Sequence, residues 1–114
     1  MDIELTRDAD KLICAIYAQF LRRRDNGSPK RKAGSFSNSA ELVFLKKVFT
    51  PYIKSDVDDA LMELGRAKII RLYLGGTFSL EDPGIIYMEN RFKNGFKEII
   101  DHLSSVFGIF NLFG

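Results

Sequence analysis

The sequence has little of the chemistry from which most catalytic and metal sites are built. It contains one cysteine, Cys14, one histidine, His102, and no tryptophan. A single cysteine excludes an internal disulfide framework, and zinc sites of the common kinds need more Cys or His at ligand spacing. Gly75 and Gly76 are a turn signal rather than a phosphate-binding loop. We therefore expect no enzymatic activity, no metal, no cofactor, and structural roles for Cys14 and His102.

Long hydrophobic runs are also absent. The most apolar stretch, from Val106 to Gly114, is far shorter than the ~20 residues that a membrane-spanning helix needs. The first residues lack the basic start and apolar run of a signal peptide, so we expect a cytoplasmic protein without a membrane span. The 114 residues fit one domain. With 17 basic and 15 acidic residues the net charge is only +2, which does not by itself indicate a nucleic-acid partner.

Three segments in the first half of the chain show the apolar spacing of amphipathic helices. The first spans residues 8–24. The second ends by Thr50, because the residue before Pro51 is disfavoured in helical geometry. The third begins at Ser55, and a short strand is expected around Phe36 between the first and second helices.

The stretch IIRLYLGGTFSLEDPG, residues 69–84, predicts an isolated β-hairpin that leads into another helix. A three-residue turn, Gly75-Gly76-Thr77, places the apolar side chains of both strands on one face. That face consists of Ile70, Leu72, Leu74, Phe78 and Leu80. The opposite, outward face shows Ile69, Arg71, Tyr73 and Ser79.

After the hairpin, Asp82 and Pro83 form a helix start, and apolar residues then recur every three or four positions to the end of the chain. From Phe92 onward they form a heptad-like seam. The residues of this seam are Phe92, Phe96, Ile99, Leu103, Val106 and Phe110. The seam either covers the core of its own chain or forms a dimer interface, and both interpretations stay open at this point.

Positive charge is concentrated between Arg22 and Lys32, where six basic residues and one acidic residue give a net charge of +5. Most of this run lies in residues 25–35, whose Gly, Pro and Ser content predicts a mobile loop. A flexible basic segment can bind phosphate groups. The alternative is a solvated loop that keeps the protein soluble.

Residues 60–91, ALMELGRAKIIRLYLGGTFSLEDPGIIYMENR, resemble small winged helix-turn-helix proteins of Gram-positive bacteria and their mobile elements. The shared features are a Leu-rich third helix, a short hairpin or wing, and a closing pattern formed here by Leu80, Gly84, Tyr87, Met88 and Glu89. The resemblance implies an α+β, mainly helical fold: a winged helix, which is a three-helix bundle with a short β wing, plus a C-terminal helix. It also implies a homodimeric regulator that binds double-stranded DNA.

The predicted organisation is a winged-helix domain at residues 1–91, which includes the mobile basic loop 25–35, and a C-terminal amphipathic helix with an apolar tail at residues 92–114. The second segment is the expected dimerisation element, through the six seam residues from Phe92 to Phe110. The candidate DNA-binding residues are Arg22, Arg23, Arg24, Lys30, Arg31, Lys32, Arg66, Lys68, Arg71 and Tyr73.

The third helix carries a charge pattern that favours a different class of function. Its exposed positions include Asp56, Asp58, Asp59 and Glu63. Phosphates repel such a face, whereas a basic protein partner would be attracted to it. The alternative function is therefore a protein interaction module on the same scaffold that binds no DNA and uses the acidic third helix and the Phe-rich C-terminus.

Overall fold

A computed structural model of the protein describes residues 3–113, and the side chains of 3–37 and 42–113 among them. In chain order the elements are α1 (Arg7–Asp25), α2 (Lys30–Ala33), β1 (Ser35–Phe36), α3 (Asn38–Val48), α4 (Lys54–Arg66), β2 (Ile70–Leu72), β3 (Phe78–Leu80), α5 (Asp82–Arg91) and α6 (Phe96–Phe107). The strands form an antiparallel sheet in the order β1-β3-β2. The predicted α+β, mainly helical fold class is thereby confirmed. Residues 1, 2 and 114 of the two predicted segments lie outside the described residues.

Helix α1 forms the centre of the core. Thr6 caps it, because its side chain accepts a hydrogen bond from the N–H of Ala9. Every residue from Leu12 to Ala18 is buried, since α3, α4, α5 and α6 all pack against this helix. A helix that is apolar on more than one side is stable only when it is covered on each of them.

The segment that was predicted as an irregular basic loop contains one helical turn, α2, so that prediction was wrong for residues 30–33. Arg23 of α1 holds the segment in place, because its guanidinium donates hydrogen bonds to the carbonyl oxygens of Ala33 and Ser35. The carbonyl oxygen of Gly34 also accepts from Leu80 N–H. These contacts come from residues distant in sequence, and the mobility of the loop stays a prediction.

The hairpin has the predicted turn length but a different register. Leu72 pairs with Phe78 and Arg71 with Ser79, so the three-residue connection is Leu74-Gly75-Gly76 instead of Gly75-Gly76-Thr77. Both glycines adopt positive φ, 90° and 88°, which favours glycine in a tight turn. Leu74 is therefore fully exposed at the tip.

Three residues of the hairpin depart from the predicted faces, and one of them is Leu74, predicted on the buried face but fully exposed. Leu72, predicted on the buried face, is 41% exposed at the edge of the sheet. Ile69, predicted on the outward face, precedes β2 and is buried. Its carbonyl oxygen accepts a hydrogen bond from Glu81 N–H, so it packs beneath the start of α5.

The helical stretch that was predicted after the hairpin is divided by residues 92–95 into two helices, α5 and α6. Gly95 has a φ of 78° and precedes the first residue of α6. The dipeptide Asn94-Gly95 is a recognised turn signal, and it outweighs the apolar spacing that runs through it. The predicted continuous seam is therefore interrupted at its beginning.

The two helices distribute the seam residues between the core and the surface. Phe92, Ile99 and Leu103 are buried within the chain, mainly because α6 packs on α1. The other three seam residues, Phe96, Val106 and Phe110, are exposed. Intramolecular cover thus accounts for half of the predicted dimer interface.

The apolar tail turns back along α6 after Gly108, which adopts the left-handed conformation with a φ of 69°. Leu112 is buried, and the ring of Phe113 stacks on Phe96 with centroids 5.8 Å apart. The Arg22 guanidinium lies 4.7 Å from the Phe113 ring centroid. None of the helices described within residues 3–113 has the length and apolar character that crossing a membrane requires.

Candidate functional site

A wide groove with a volume of about 1320 Å³ lies beside the hairpin. Its walls come from α2, the C-terminal end of α4, the sheet and the first turn of α5. The cations that line it are Lys30, Arg31, Arg66, Lys68 and Arg71. We call this surface, together with Tyr73, the basic groove. Six of the ten predicted DNA-binding residues therefore lie in one concave surface.

The last turn of α4 places Arg66 and Lys68 in the basic groove. Ala67 caps the helix, and the N–H of Ile69 donates to the carbonyl oxygen of Leu64. This C-terminal turn requires a left-handed residue, which is usually glycine. Here the position is occupied by Lys68 with a φ of 62°. Lys68 thus has a left-handed backbone conformation that glycine would adopt at a lower cost in free energy.

The charge of the basic groove is unbalanced. Two carboxylates, Glu81 and Asp82, also line it, so five cations leave a net charge of +3. Lys30 pairs with Asp82 at 2.8 Å and Arg71 with Glu81 at 3.0 Å. These pairs are solvent-exposed and contribute little to stability. Lys30 and Arg71 can therefore exchange their carboxylate partners for another anion with little loss of stability.

The other three cations of the basic groove, Arg31, Arg66 and Lys68, form no ion pair with the side chains that the structure describes. Such groups remain fully hydrated until an anion approaches. Phosphate oxygens are acceptors that match both guanidinium and ammonium groups. The basic groove is therefore suited to an extended polyanion.

The floor of the basic groove combines apolar and hydroxyl groups. Ser35 and Ser79 lie opposite each other on neighbouring strands, and the hydroxyl groups of Tyr73 and Ser79 are 3.5 Å apart. Met62 and Leu72 supply exposed apolar surface beside them. Hydroxyl groups of this kind commonly contact phosphate and sugar in protein–DNA interfaces. Ser35 was not among the residues predicted to bind DNA. The alternation of polar and apolar residues around Phe36 is a signal that could have placed its side chain on the exposed face of the strand.

The remaining predicted DNA-binding residues lie outside the basic groove. Arg22 and Arg24 line a separate surface beside Phe96. Arg22 covers the ring of Phe113, Arg24 donates to the carbonyl oxygen of Ser28, and Arg23 lies over the ring of Phe36. Lys32 is exposed but does not line the groove. The basic residues between Arg22 and Lys32 are therefore divided between two different surfaces.

Three of the four acidic residues of α4, Asp56, Asp58 and Asp59, occupy its N-terminal half, and the fourth, Glu63, lies in the C-terminal half. None of them lines the groove. Glu63 accepts hydrogen bonds from the backbone N–H and hydroxyl of Thr6, at 2.8 and 2.7 Å. Asp58 pairs with Lys54 at 2.7 Å. Asp56 and Asp59 are exposed without an ion-pair partner among the described side chains. Along one face of α4 the charge thus changes from negative at Asp59 and Glu63 to positive at Arg66, about two turns after Asp59.

A second polar cluster lies half-buried among α1, α5 and α6, with Cys14 its one fully buried member. Both guanidinium nitrogens of Arg91 donate to the Asp10 carboxylate, and Nη2 lies 2.9 Å from Oδ2. Burial and then the charge of Arg91 lower the pKa of His102, whose ring packs edge-on against Phe92 and Phe107. Burial, followed by the charge of Asp10, raises the pKa of the Cys14 thiol to about 12. The Cys14 thiol is therefore protonated at neutral pH and is a poor nucleophile in that state.

Comparisons with known protein families, with curated proteins and with solved structures identified no match. Function therefore has to be inferred from the two sites themselves. Of these, the basic groove is open to solvent and large enough for a macromolecular ligand, whereas the polar cluster is only partly exposed.

Proposed function

We propose that the protein is a winged-helix regulator that binds double-stranded DNA through the basic groove. The observation that carries this proposal is the meeting of α2 cations with Arg66, Lys68 and Arg71, which are distant from them in sequence. The element order and the sheet order β1-β3-β2 support the winged-helix assignment. In this arrangement α3 and α4 are the helix-turn-helix pair, and the β2–β3 hairpin is the wing.

The charge distribution determines how DNA would approach. The N-terminal half of α4 repels phosphates, so it does not enter the major groove as a recognition helix ordinarily does. The phosphate backbone instead crosses the C-terminal end of α4 and reaches Arg31 on one side and Arg71 on the other. Binding of this kind is dominated by phosphate contacts and depends strongly on salt.

The direct test measures binding of a fluorescent mixed-sequence duplex by anisotropy over a range of salt concentrations. Replacing both Arg31 and Arg66 with alanine is expected to reduce the slope of log K against log[salt] by about 2, since each lost phosphate contact contributes ~0.9. The charge-matched control, Arg22→Ala with Arg24→Ala, is expected to leave the slope unchanged. Equal effects of the two double variants would contradict a site in the basic groove.

The variant Lys68→Gly separates binding from folding. It removes one cation from the basic groove, so DNA affinity should fall and the salt slope should decrease by about 1. It also replaces a left-handed lysine with the residue that adopts this conformation most readily, so stability should stay equal or rise by up to ~1 kcal/mol. Reduced binding together with lower stability would contradict this explanation.

We further propose that a homodimer forms at the end of α6, where Val106 and Phe110 are exposed. Phe110 is 78% exposed, and apolar surface of this kind in a small protein is often an interface. The double variant Val106→Asp, Phe110→Ser is expected to sediment as a monomer under conditions in which the wild type is a dimer. The control Ile86→Ser removes another exposed apolar side chain, 56% exposed, from α5 and should keep the dimer. A wild-type chain that sediments as a monomer would exclude this part of the proposal.

A protein interaction module is the second candidate, and the exposed carboxylates of Asp56 and Asp59 favour it. If the duplex does not bind even at low salt, this function becomes the better explanation. Replacing Asp58 and Asp59 with asparagine then distinguishes the two classes. A DNA-binding protein should gain non-specific affinity from the change, whereas an interaction module should lose its basic partner.

A further inference from the structure

The polar cluster among α1, α5 and α6 brings together three side chains that commonly bind metal ions. Asp10 and Cys14 are one turn apart on α1, and His102 approaches them from α6. One potential ligand atom of each lies within 4.8 Å of the other two, and Sγ of Cys14 is 3.9 Å from Oδ1 of Asp10. Ligand atoms bound to one tetrahedral Zn²⁺ ion are about 3.3–3.8 Å apart, so the three groups would have to approach one another by up to ~1 Å.

The donor set selects among metals. A thiolate, an imidazole and a carboxylate together suit Zn²⁺, which takes sulfur, nitrogen and oxygen ligands at about 2.0–2.3 Å. Mg²⁺ and Ca²⁺ prefer oxygen ligands only. Three protein ligands leave a fourth position, which water can fill. Glu98, one turn before His102 on α6, has a buried carboxylate oxygen without a hydrogen-bond partner among the described residues and adds negative charge nearby.

A cation already lies at this position, because the Arg91 guanidinium bonds to Asp10 and its Nη2 is 3.4 Å from Nε2 of His102. The side chain of Arg91 is 27% exposed, so it has a path to solvent. Arg91 is also the last residue of α5, immediately before the break at residues 92–95. It can therefore move without displacing a helix.

We propose that Asp10, Cys14 and His102 form a Zn²⁺ site in which the metal ion replaces the guanidinium of Arg91. The Cys14 thiol is protonated in the metal-free protein, since burial raises its pKa, and its proton passes to solvent as the Zn–S bond forms. No electron transfer is involved. This site is independent of the DNA-binding proposal and departs from the structural roles that the sequence predicts for Cys14 and His102.

The test uses Co²⁺ as a spectroscopic probe for the Zn²⁺ site in the full-length chain. Wild type is expected to develop a thiolate-to-cobalt charge-transfer band that Zn²⁺ abolishes. Cys14→Ser and His102→Gln should each lose the band. Arg91→Gln removes the competing cation and should tighten Co²⁺ binding by at least about tenfold, the factor that a charge-assisted pair of this kind contributes. The control Arg71→Gln breaks an exposed ion pair elsewhere and should leave affinity unchanged.

Each contrary result overturns the proposal. If wild type shows no charge-transfer band, the proposal is wrong. This holds even if Arg91→Gln shows the band, because that result would mean that Arg91 excludes the metal ion from the natural protein. If the band persists in Cys14→Ser, it does not arise from a bond between Co²⁺ and the Cys14 thiolate. Thermal unfolding of wild type gives a test that does not depend on whether the variants fold. Zn²⁺ should raise the Tm of wild type. An unchanged Tm at saturating Zn²⁺ would contradict binding to the folded state.

Discussion

Replacing Gly84 with alanine is expected to destabilise the protein by about 2 kcal/mol, although alanine normally favours helices. Gly84 lies in the first turn of α5, directly against Ile69. A Cβ at this position would be 2.5 Å from the carbonyl oxygen of Ile69 and 2.8 Å from its Cγ2. Neither atom can move freely, because the carbonyl oxygen accepts the Glu81 N–H at 2.9 Å and Ile69 is buried. Overpacking of this kind costs about 1–3 kcal/mol, and loss of the Glu81 hydrogen bond adds ~1 kcal/mol.

Gly65→Ala is the matched control, since it places the same methyl group in another helix. The nearest atom to that Cβ is Cδ1 of Leu72 at 3.3 Å, the end of a flexible and partly exposed side chain. We expect a stability change between zero and a gain of ~1 kcal/mol from helix propensity. Urea unfolding of both variants measures the difference. Equal stability of the two variants would mean that α5 does not pack on Ile69 as closely as the structure indicates.

Replacing Phe36 with alanine is expected to cost about 3–5 kcal/mol, the usual range for a buried aromatic residue. The ring is fully buried and stacks on Phe78 with centroids 5.0 Å apart and an interplanar angle of 4°. The Arg23 guanidinium lies 4.6 Å from the centroid of the same ring. A large part of the total stability of a domain of this size would be lost, because the change opens a cavity where the sheet meets α1.

Phe110→Ala is the control for the loss of an aromatic ring. Its side chain is mostly exposed in the described structure, so the free energy of unfolding of the monomer should change by less than ~0.5 kcal/mol. Phe36→Leu provides an intermediate case, since it keeps most of the buried volume and should cost ~1.5 kcal/mol or less. If Phe36→Ala unfolds at the same urea concentration as Phe110→Ala, the buried position of Phe36 is wrong.

Most of the elements could be predicted from the sequence because they depend on local signals, whereas α2 was predicted as part of a loop. The apolar period of residues 8–24 predicts α1, and Pro51 limits α3 at the correct end. The strand at Phe36 and the three-residue length of the hairpin turn were likewise predicted. The register of that turn was wrong, because two registers with the same alternation of side chains differ only in which residues form the tip. Packing of Leu72 and Ile69 against neighbouring helices decides between them.

The candidate site could be predicted in part. Lys30 and Arg31 were candidates from the charge of their segment, and Arg66, Lys68 and Arg71 from their place on the expected third helix and wing. Nothing in the local sequence distinguishes them from Arg22, Arg23 and Arg24, which lie outside the groove. The distinction arises because Arg23 binds the carbonyl oxygens of residues 33 and 35 and thereby turns the chain, so that α2 faces the sheet. Such a contact depends on where α1 ends in space.

The sequence by itself determined most of the helical and strand segments and the placement of Asp56, Asp58 and Asp59 ahead of Arg66 along α4. Those properties follow from spacing and composition within a few turns of chain. Only the tertiary structure decided that the C-terminal seam is half buried on α1, that α2 completes the basic groove, and that Asp10, Cys14, Arg91 and His102 meet. These contacts join residues far apart in the chain, and side-chain packing selects them from many arrangements with the same local pattern.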